Sequence, residues 1–129
     1  MPKTAIRTTK APQPAGPYSQ GIVANGFLYT AGFGPQDPTS GAVADTVGEQ
    51  TRQVLRNVSA VLAEHGLTLD DCVKSTVHLA DLADFAEFNE AYKEFFTEPY
   101  PVRTTVGSQL ANILVEIDVV AAVPARPGE

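Results

Sequence analysis

Two segments with helical periodicity, set among segments with the period of a β-strand, limit what this chain can fold into. Between residues 46 and 65 the apolar positions fall on one helical face, at Val47, Val54, Leu55, Val58, Val61 and Leu62. Farther along, aromatic residues recur at helical spacing before Pro99 and Pro101 end the helix, at Phe85, Phe88, Tyr92, Phe95 and Phe96. The predicted order is strand, strand, helix, strand, helix, strand, strand, with a short extra strand near residues 5–8. Two helices cover only one face of a sheet.

The first strand pair has a clear turn signal. Asn25-Gly26 suits the left-handed backbone angles of a type I′ turn, so residues 19–24 and 27–31 are predicted to form a β-hairpin. Residues 33–41 are rich in glycine and proline and are predicted to be a loop.

The ends of the first helix also carry signals. Thr46 and Glu49 have the spacing of a capping box, and Gly66 is a plausible C-terminal cap. The following segment, residues 72–80, alternates like a half-buried strand. One side is predicted to hold Val73, Ser75, Val77 and Leu79, and the other Lys74, Thr76 and His78.

The residues of the last predicted strand indicate what kind of surface packs against the uncovered face of the sheet. One side of this strand is apolar, with Val115, Ile117, Val119, Ala121 and Val123. Its other side is mixed, with Leu114, Glu116, Asp118 and Val120. A mixed face suits a subunit interface that contains polar pockets.

Two charged residues stand inside strand-forming runs near the C-terminus. Arg103 lies in residues 101–106 and Glu116 in residues 114–120. A charge in such a run is costly to desolvate without a partner or a ligand. The arginine offers a planar fork for a carboxylate, and the glutamate can exchange a proton. A structural ion pair between neighbouring strands explains these two residues equally well. Thr105 alternates onto the same strand face as Arg103 and could line the same pocket.

Composition limits the class of protein. The 129 residues are 43% hydrophobic and 19% charged, which predicts a single domain over residues 1–129. The formal charge of −6 argues against a nucleic-acid partner. No apolar run approaches the length of a membrane span, and no signal peptide follows Met1, so a cytoplasmic location is predicted. The single cysteine, Cys72, excludes an internal disulfide, gives no metal-ligand spacing and is predicted to be a reduced thiol in or beside the core.

Several short motifs, in order from about residue 11 to residue 122, resemble the RidA family of enamine/imine deaminases, also called YjgF/UK114. They are Gly16-Pro17-Tyr18-Ser19-Gln20-Gly21, Asn25-Gly26, Thr30-Ala31-Gly32, Asn57, Asp84-Phe85, Asn89, Tyr92, Phe96, Pro101-Val102-Arg103 and Val115-Glu116-Ile117. The resemblance implies an α+β fold of the chorismate mutase-like type, with one mixed β-sheet covered on one face by two helices. It also implies a homotrimer in which three sheets pack into a barrel with clefts between subunits.

The resemblance implies a reaction and roles for particular residues. The family hydrolyses reactive 2-imino acids, such as those derived from 2-aminoacrylate, to 2-keto acids and ammonia, without a metal or an organic cofactor. Arg103 would hold the substrate carboxylate and Glu116 would position a water molecule. Tyr18, Gly32, Asn89 and Thr105 would contribute to substrate binding. Read without the resemblance, Tyr18 is a half-buried aromatic residue, Gly32 a bend and Asn89 a capping or surface residue. The phenylalanines of the second helix are assigned to the core, with no chemistry.

The chain departs from the family pattern at three places. Ala31 stands where many members have serine, Thr105 where many have cysteine, and residues 110–114 lack the usual proline and glycine. These differences bear on substrate preference more than on reaction class.

Other functions stay open: a non-catalytic module that binds small carboxylates, a holdase-like chaperone, or a deaminase of another enamine such as an aminomuconate. A ribonuclease is disfavoured by the acidic charge.

Overall fold

In the computed structural model, which describes residues 2–125, a six-stranded mixed β-sheet carries two α-helices on one face. The strands are β1 (Thr4–Ile6), β2 (Gly21–Ala24), β3 (Phe27–Thr30), β4 (Cys72–Leu79), β5 (Val102–Gly107) and β6 (Val115–Ala122). The helices are α1 (Val47–Ala63) and α2 (Phe85–Tyr92). The strand order is β1-β2-β3-β6-β4-β5, and β4 and β5 are the parallel pair. The α+β prediction is therefore confirmed. Over the described range, neither helix is long and apolar enough to cross a membrane.

The predicted hairpin is confirmed, and so is the short first strand. Asn25 has a φ of 52° and Gly26 a φ of 83°, the left-handed angles that a type I′ turn requires. Ala24 then pairs directly with Phe27 across the antiparallel β2–β3 ladder. The extra strand predicted near residues 5–8 forms as β1, which pairs with β2 at the edge of the sheet.

Helix α1 begins and ends at the residues that the sequence indicated, with one difference. The Thr46 hydroxyl oxygen accepts a hydrogen bond from the Glu49 N–H at 3.2 Å. The Glu49 carboxylate, however, pairs with Arg52 one turn farther on, so the capping box is only half formed among the described residues. Gly66 follows the helix with a φ of 70°, as expected of a C-terminal glycine cap.

Helix α2 is shorter than its aromatic periodicity predicts. It ends at Tyr92, because the backbone then tightens to bonds between residues three apart: the Glu94 N–H to the Ala91 carbonyl and the Phe95 N–H to the Tyr92 carbonyl. Phe96 nevertheless stays buried and stacks on Tyr92, with ring centroids 4.4 Å apart. The stacked aromatic rings therefore continue beyond the last residue of the helix.

The core lies between the helices and one face of the sheet. Helix α1 contributes its predicted apolar face, with Val54, Leu55, Val58, Val61 and Leu62 fully buried. The central strands contribute Leu28, Val77, Leu79, Val115, Ile117, Val119 and Ala121. Burial alternates strictly along β6, so its mixed side, with Glu116 and Asp118, lies on the face that carries no described helix. That surface is called the open face below.

Strand β4 corrects one predicted side-chain direction. Val73 was predicted on the same side as Ser75, but it is exposed while Cys72 is buried. The register against β6 shifts between Cys72 and Lys74, and such a bulge reverses the alternation of the residues before it. Cys72 lies at the core as predicted. Burial raises the pKa of its thiol to about 12, with a further contribution from the charges of Asp71 and Asp70, so the thiol is unreactive near neutral pH.

Two buried amides on α1 fix the loops that approach the open face. Asn57 Nδ2 donates to the carbonyls of Gly34 and Gln36, at 3.0 Å and 2.9 Å. Gln50 Oε1 accepts from the Leu114 N–H at 2.7 Å. Both side chains are almost fully buried, where an unpaired amide would be costly. The bonds of Asn57 thus fix the segment that follows Gly32, and the bond of Gln50 fixes the segment that precedes Glu116.

Candidate functional site

Arg103 lies on the edge strand β5 and faces the helical side of the sheet. It pairs in register with Ser75 of β4, whose side chain is buried under the helices. Its guanidinium carbon is 4.8 Å from the ring centroid of Tyr92 and 5.5 Å from those of Phe85 and Phe88. The guanidinium forms no hydrogen bond or ion pair with any residue that the structure describes. Its N–H donors are therefore free to bind a ligand.

A cleft of about 460 Å³ opens beside this guanidinium, and its lining residues are Asn89, Tyr92, Lys93, Tyr100, Pro101 and Arg103. Asn89, predicted from the resemblance, thus shares a cleft with Arg103. Thr105 lies two residues farther along the same strand face, beside Val77 of β4. Its hydroxyl oxygen is buried and has no hydrogen-bond partner within residues 2–125. An unsatisfied buried hydroxyl is unusual, and this one lies on the same strand as Arg103.

Glu116 occupies a different part of the molecule. It is on strand β6, directly opposite His78 of β4, and its side chain is on the open face. A Cβ added to Gly32 would lie only 2.6 Å from Glu116 Oε2 and 3.0 Å from Cδ. The glycine therefore lets the carboxylate lie against the backbone that follows β3. This contact gives Gly32 a steric role that its position in the sequence does not reveal.

Tyr18 lies beside Gly32 and Glu116. Its hydroxyl oxygen accepts a hydrogen bond from the Ala15 N–H at 3.1 Å, and the residue remains 52% exposed. Two adjoining clefts, of about 680 Å³ and 340 Å³, share Tyr18, Gly32 and Glu116. The larger cleft is also lined by Lys3, Pro17, Ser19, Ile22, Tyr29, Thr30 and Ala31. The three predicted residues of this region therefore line a common surface.

The predicted site residues thus fall into two groups that do not meet within one chain. Arg103 pairs with Ser75 and Glu116 with His78, and these two positions of β4 point to opposite faces of the sheet. Strand β4 also separates β5 from β6. The alternative of an ion pair between neighbouring strands is therefore wrong. We call the surface around Arg103 and Asn89 the arginine half-site, and the surface around Tyr18, Gly32 and Glu116 the glutamate half-site.

The open face carries further charges near the glutamate half-site. Burial raises the pKa of the Asp118 carboxyl above its usual value, and the nearby charges of His78 and Lys74 partly offset this effect. His78 Nδ1 lies 2.7 Å from the Ser108 hydroxyl oxygen. Within residues 2–125, no three histidine, cysteine or acidic side chains are grouped closely enough to hold a metal ion.

Sequence reasoning missed the aromatic residues that surround Arg103. Phe85 and Phe88 were predicted to be core without chemistry, but both rings contact the guanidinium, as does the ring of Tyr92. Phe85 is 39% exposed in the structure, which sets it apart from a core residue, but helical periodicity in the sequence does not show this exposure. The pairing of β5 with β4, which brings the arginine under that helix, is not visible in the sequence.

Comparisons with known proteins agree with this architecture. Residues 8–123 match the family described as endoribonuclease L-PSP. A RutC family protein of Pyrococcus abyssi is 45% identical over 124 residues, which cover 94% of this chain and 98% of that protein. The 2-iminobutanoate/2-iminopropanoate deaminase of Salmonella typhimurium is 42% identical over 126 residues, with 94% and 98% covered. The crystal structure of E. coli TdcF with bound serine has a TM-score of 0.88 and 36% identity, covering 94% of this chain and 99% of TdcF. This chain therefore belongs to the Ribonuc_L-PSP family, which is the YjgF/RidA family that its motifs resemble.

Proposed function

We propose that this protein hydrolyses reactive 2-imino acids to 2-keto acids and ammonia, in a site that two copies of the chain form together. The observation that carries the proposal is the unpaired Arg103 guanidinium at the wall of a cleft. An arginine whose donors are free, beside apolar ring surfaces, is well suited to a small carboxylate. The relative named as a 2-iminobutanoate/2-iminopropanoate deaminase supports the reaction class.

A second copy is needed to complete the site. Arg103 and Glu116 lie on opposite faces of the same sheet, so no ligand of the size of pyruvate reaches both within one chain. Contact between the arginine half-site of one subunit and the glutamate half-site of the next joins two different surfaces. Such a heterologous contact closes on itself in a ring, and a homotrimer is the ring that we propose. The mixed open face would be covered in this assembly.

The proposed reaction needs little beyond positioning. The carbon of a C=NH group next to a carboxylate is already electrophilic, so one oriented water molecule can attack it. Arg103 holds the carboxylate by two parallel hydrogen bonds, and Tyr18 and Asn89 confine the rest of the substrate. Glu116 accepts a proton from the attacking water and returns one to the departing nitrogen. One water is consumed, the C–N bond breaks, and the products are a 2-keto acid and ammonia.

Release of keto acid from freshly generated imines tests the proposal. An amino-acid oxidase would generate 2-imino acids from alanine, 2-aminobutanoate, leucine and phenylalanine, and keto-acid formation would be followed with and without the protein. The series also shows which side-chain size is preferred. We expect acceleration over spontaneous hydrolysis, and an acceleration lost in the Arg103→Gln variant. A rate equal to the spontaneous rate for every imine would overturn the proposed activity.

A non-catalytic carboxylate-binding module is the second candidate. It is favoured by the structure of the relative TdcF, which contains bound serine. Such a module needs Arg103 but does not use Glu116 as a base. Binding of a keto acid without any acceleration of imine hydrolysis would identify it. Ribonuclease activity, which the family description names, remains disfavoured by the net charge of −6.

A further inference from the structure

The surroundings of Arg103 differ from those of most structural arginines. An arginine in an ion pair is fixed by a carboxylate, but this exposed guanidinium is flanked by three rings with centroids within 5.5 Å. A carboxylate partner would occupy the hydrogen-bond donors and neutralise the charge that a ligand needs. Aromatic faces attract the cation through their quadrupole and leave every N–H free. The arrangement therefore fixes the group without using up its binding capacity.

The rings themselves are held firmly. The Tyr92 hydroxyl and the Ser75 hydroxyl are 2.8 Å apart and buried. Tyr92 also packs between Phe88 and Phe96, with ring centroids 5.4 Å and 4.4 Å away. Burial raises the pKa of Tyr92, so its phenol stays uncharged near neutral pH. Phe85 is the most exposed of the three rings that contact Arg103.

We propose that Phe85, Phe88 and Tyr92 form an aromatic clamp, whose function is to orient the Arg103 guanidinium for binding a substrate carboxylate. These are positioning residues that act through the arginine. The role in carboxylate binding rests on the proposed function, whereas the orientation of the guanidinium by the rings is a property of the protein without ligand. Ser75 belongs to the same device, because its hydroxyl fixes the ring that lies closest to the guanidinium.

Phe85→Leu is the main test, because Phe85 is the exposed member and its loss leaves the core intact. The matched control is Phe95→Leu, which removes a half-buried ring beyond the end of α2, in a cleft lined by Ser59, Ala63 and Leu67 and not by Arg103. We expect KM for imine hydrolysis, and Kd for 2-oxobutanoate, to rise about twofold to fivefold in Phe85→Leu only. The kcat value should stay unchanged, because the carboxylate is held equally in the ground state and the transition state.

Coupling to Arg103 separates a clamp from general packing. In an Arg103→Gln background, Phe85→Leu should have no further effect on Kd for 2-oxobutanoate, because the group it orients is gone. Tyr92→Phe keeps the ring but loses the bond to Ser75, so its effect should be smaller than that of Tyr92→Leu. An equal effect of Phe85→Leu with and without Arg103 would overturn the clamp.

A measurement without ligand tests the orienting part by itself. Nitrogen-15 relaxation of the arginine side chains reports the order of the Arg103 Nε–H bond on the picosecond to nanosecond timescale. We expect this bond to be ordered in the wild type and in Phe95→Leu, and less ordered in Phe85→Leu. Unchanged order in Phe85→Leu would overturn the inference even if the protein is a deaminase. Loss of order together with no keto-acid binding by the wild type would instead sink the proposed function and the carboxylate role of the clamp.

Discussion

The two half-sites hold opposite charges by different physical means. Arg103 is on an edge strand, where three aromatic rings surround its guanidinium. Glu116 is on an interior strand, and its carboxylate fits against a glycine where even a methyl group would collide with it. One charge is held by attraction to ring faces and the other by close packing. Both arrangements leave polar atoms for a ligand, which a salt bridge would not.

This difference predicts how each half-site fails. Removing one of the three rings should weaken the orientation of the Arg103 guanidinium only partly, because two rings remain. Adding one carbon at Gly32 should instead displace the Glu116 carboxylate, because the two would collide. Substitutions of Arg103 and Glu116 should also change different kinetic constants. Arg103 acts mainly on substrate binding and so on KM, and Glu116 acts mainly on the chemical step and so on kcat.

The largest expected effect is that of Glu116→Gln. The amide keeps the shape and hydrogen-bonding capacity of the carboxylate but no longer accepts a proton. We expect kcat to fall by roughly 100-fold or more, the usual range for a lost general base. Calorimetric titration with 2-oxobutanoate should show that binding is retained. Full activity of this variant would mean that Arg103 and substrate positioning alone account for the catalysis.

Arg103→Lys comes next. Lysine keeps the charge but loses the planar fork, so the paired hydrogen bonds to the carboxylate are not reproduced. Losing such a charge-assisted contact costs about 1.5–3 kcal/mol, which corresponds to about 10-fold to 100-fold in kcat/KM. Circular dichroism should show an unchanged fold. A folded lysine variant with the wild-type rate would contradict the role of the arginine half-site.

Gly32→Ala sharpens the steric half of the comparison. The new Cβ would force the Glu116 carboxylate to move, and a misplaced catalytic group should lower kcat by about 10-fold. Because the colliding atoms are the end of a flexible side chain, the melting temperature should change little. Gly107→Ala is the matched control, since its Cβ would lie 3.4 Å from Leu82 in ordinary contact. Equal activity of the two alanine variants would show that the fit at Gly32 is irrelevant to catalysis.

Asp118→Asn is expected to have the smallest effect, on stability alone. Burial raises the pKa of Asp118 in the folded state, so the fold favours the protonated carboxyl. That contribution is complete at pH values below the unfolded pKa, and it is lost as the pH rises through the folded pKa. At pH 7 asparagine removes the cost of the buried charge, and the melting temperature should rise by about 1–3 °C. The gain should vanish below about pH 4, where the carboxyl is protonated in both states.

Asp45→Asn, at an exposed position, is the matched control for this pH dependence. It should leave the melting temperature unchanged across the same range. A gain at pH 7 that persists at low pH would show that the Asp118 variant acts through packing and not through charge.

Local signals in the sequence predicted the elements of this fold well. The hairpin follows from the left-handed preference of Asn25-Gly26, and the covered face of β6 follows from strict alternation. The direction of Val73 could not be predicted, because a bulge depends on the pairing of β4 with β6 and has no local signature. Strand order likewise depends on contacts between distant segments.

The candidate site was predicted as a set of residues but not as an arrangement. Separate motifs in the sequence predicted each of the site residues, namely Arg103, Asn89, Tyr18, Gly32 and Glu116. Their division between two faces depends on how β5 and β6 each register against β4, which no single segment encodes. The aromatic contacts of Arg103 were hidden for the same reason, since helical periodicity alone marks those rings as core.

The central claim is that the two half-sites work together across a subunit interface. Arg103→Gln and Glu116→Gln variants, each impaired alone, would be mixed in equal amounts, unfolded in denaturant and refolded together so that the subunits exchange. A mixed assembly contains interfaces at which an intact Arg103 from one subunit meets an intact Glu116 from the next. With random mixing, about a quarter of the interfaces are complete, so imine hydrolysis should recover to about a quarter of the refolded wild-type rate. A mixture no more active than the average of the two variants would contradict the shared site.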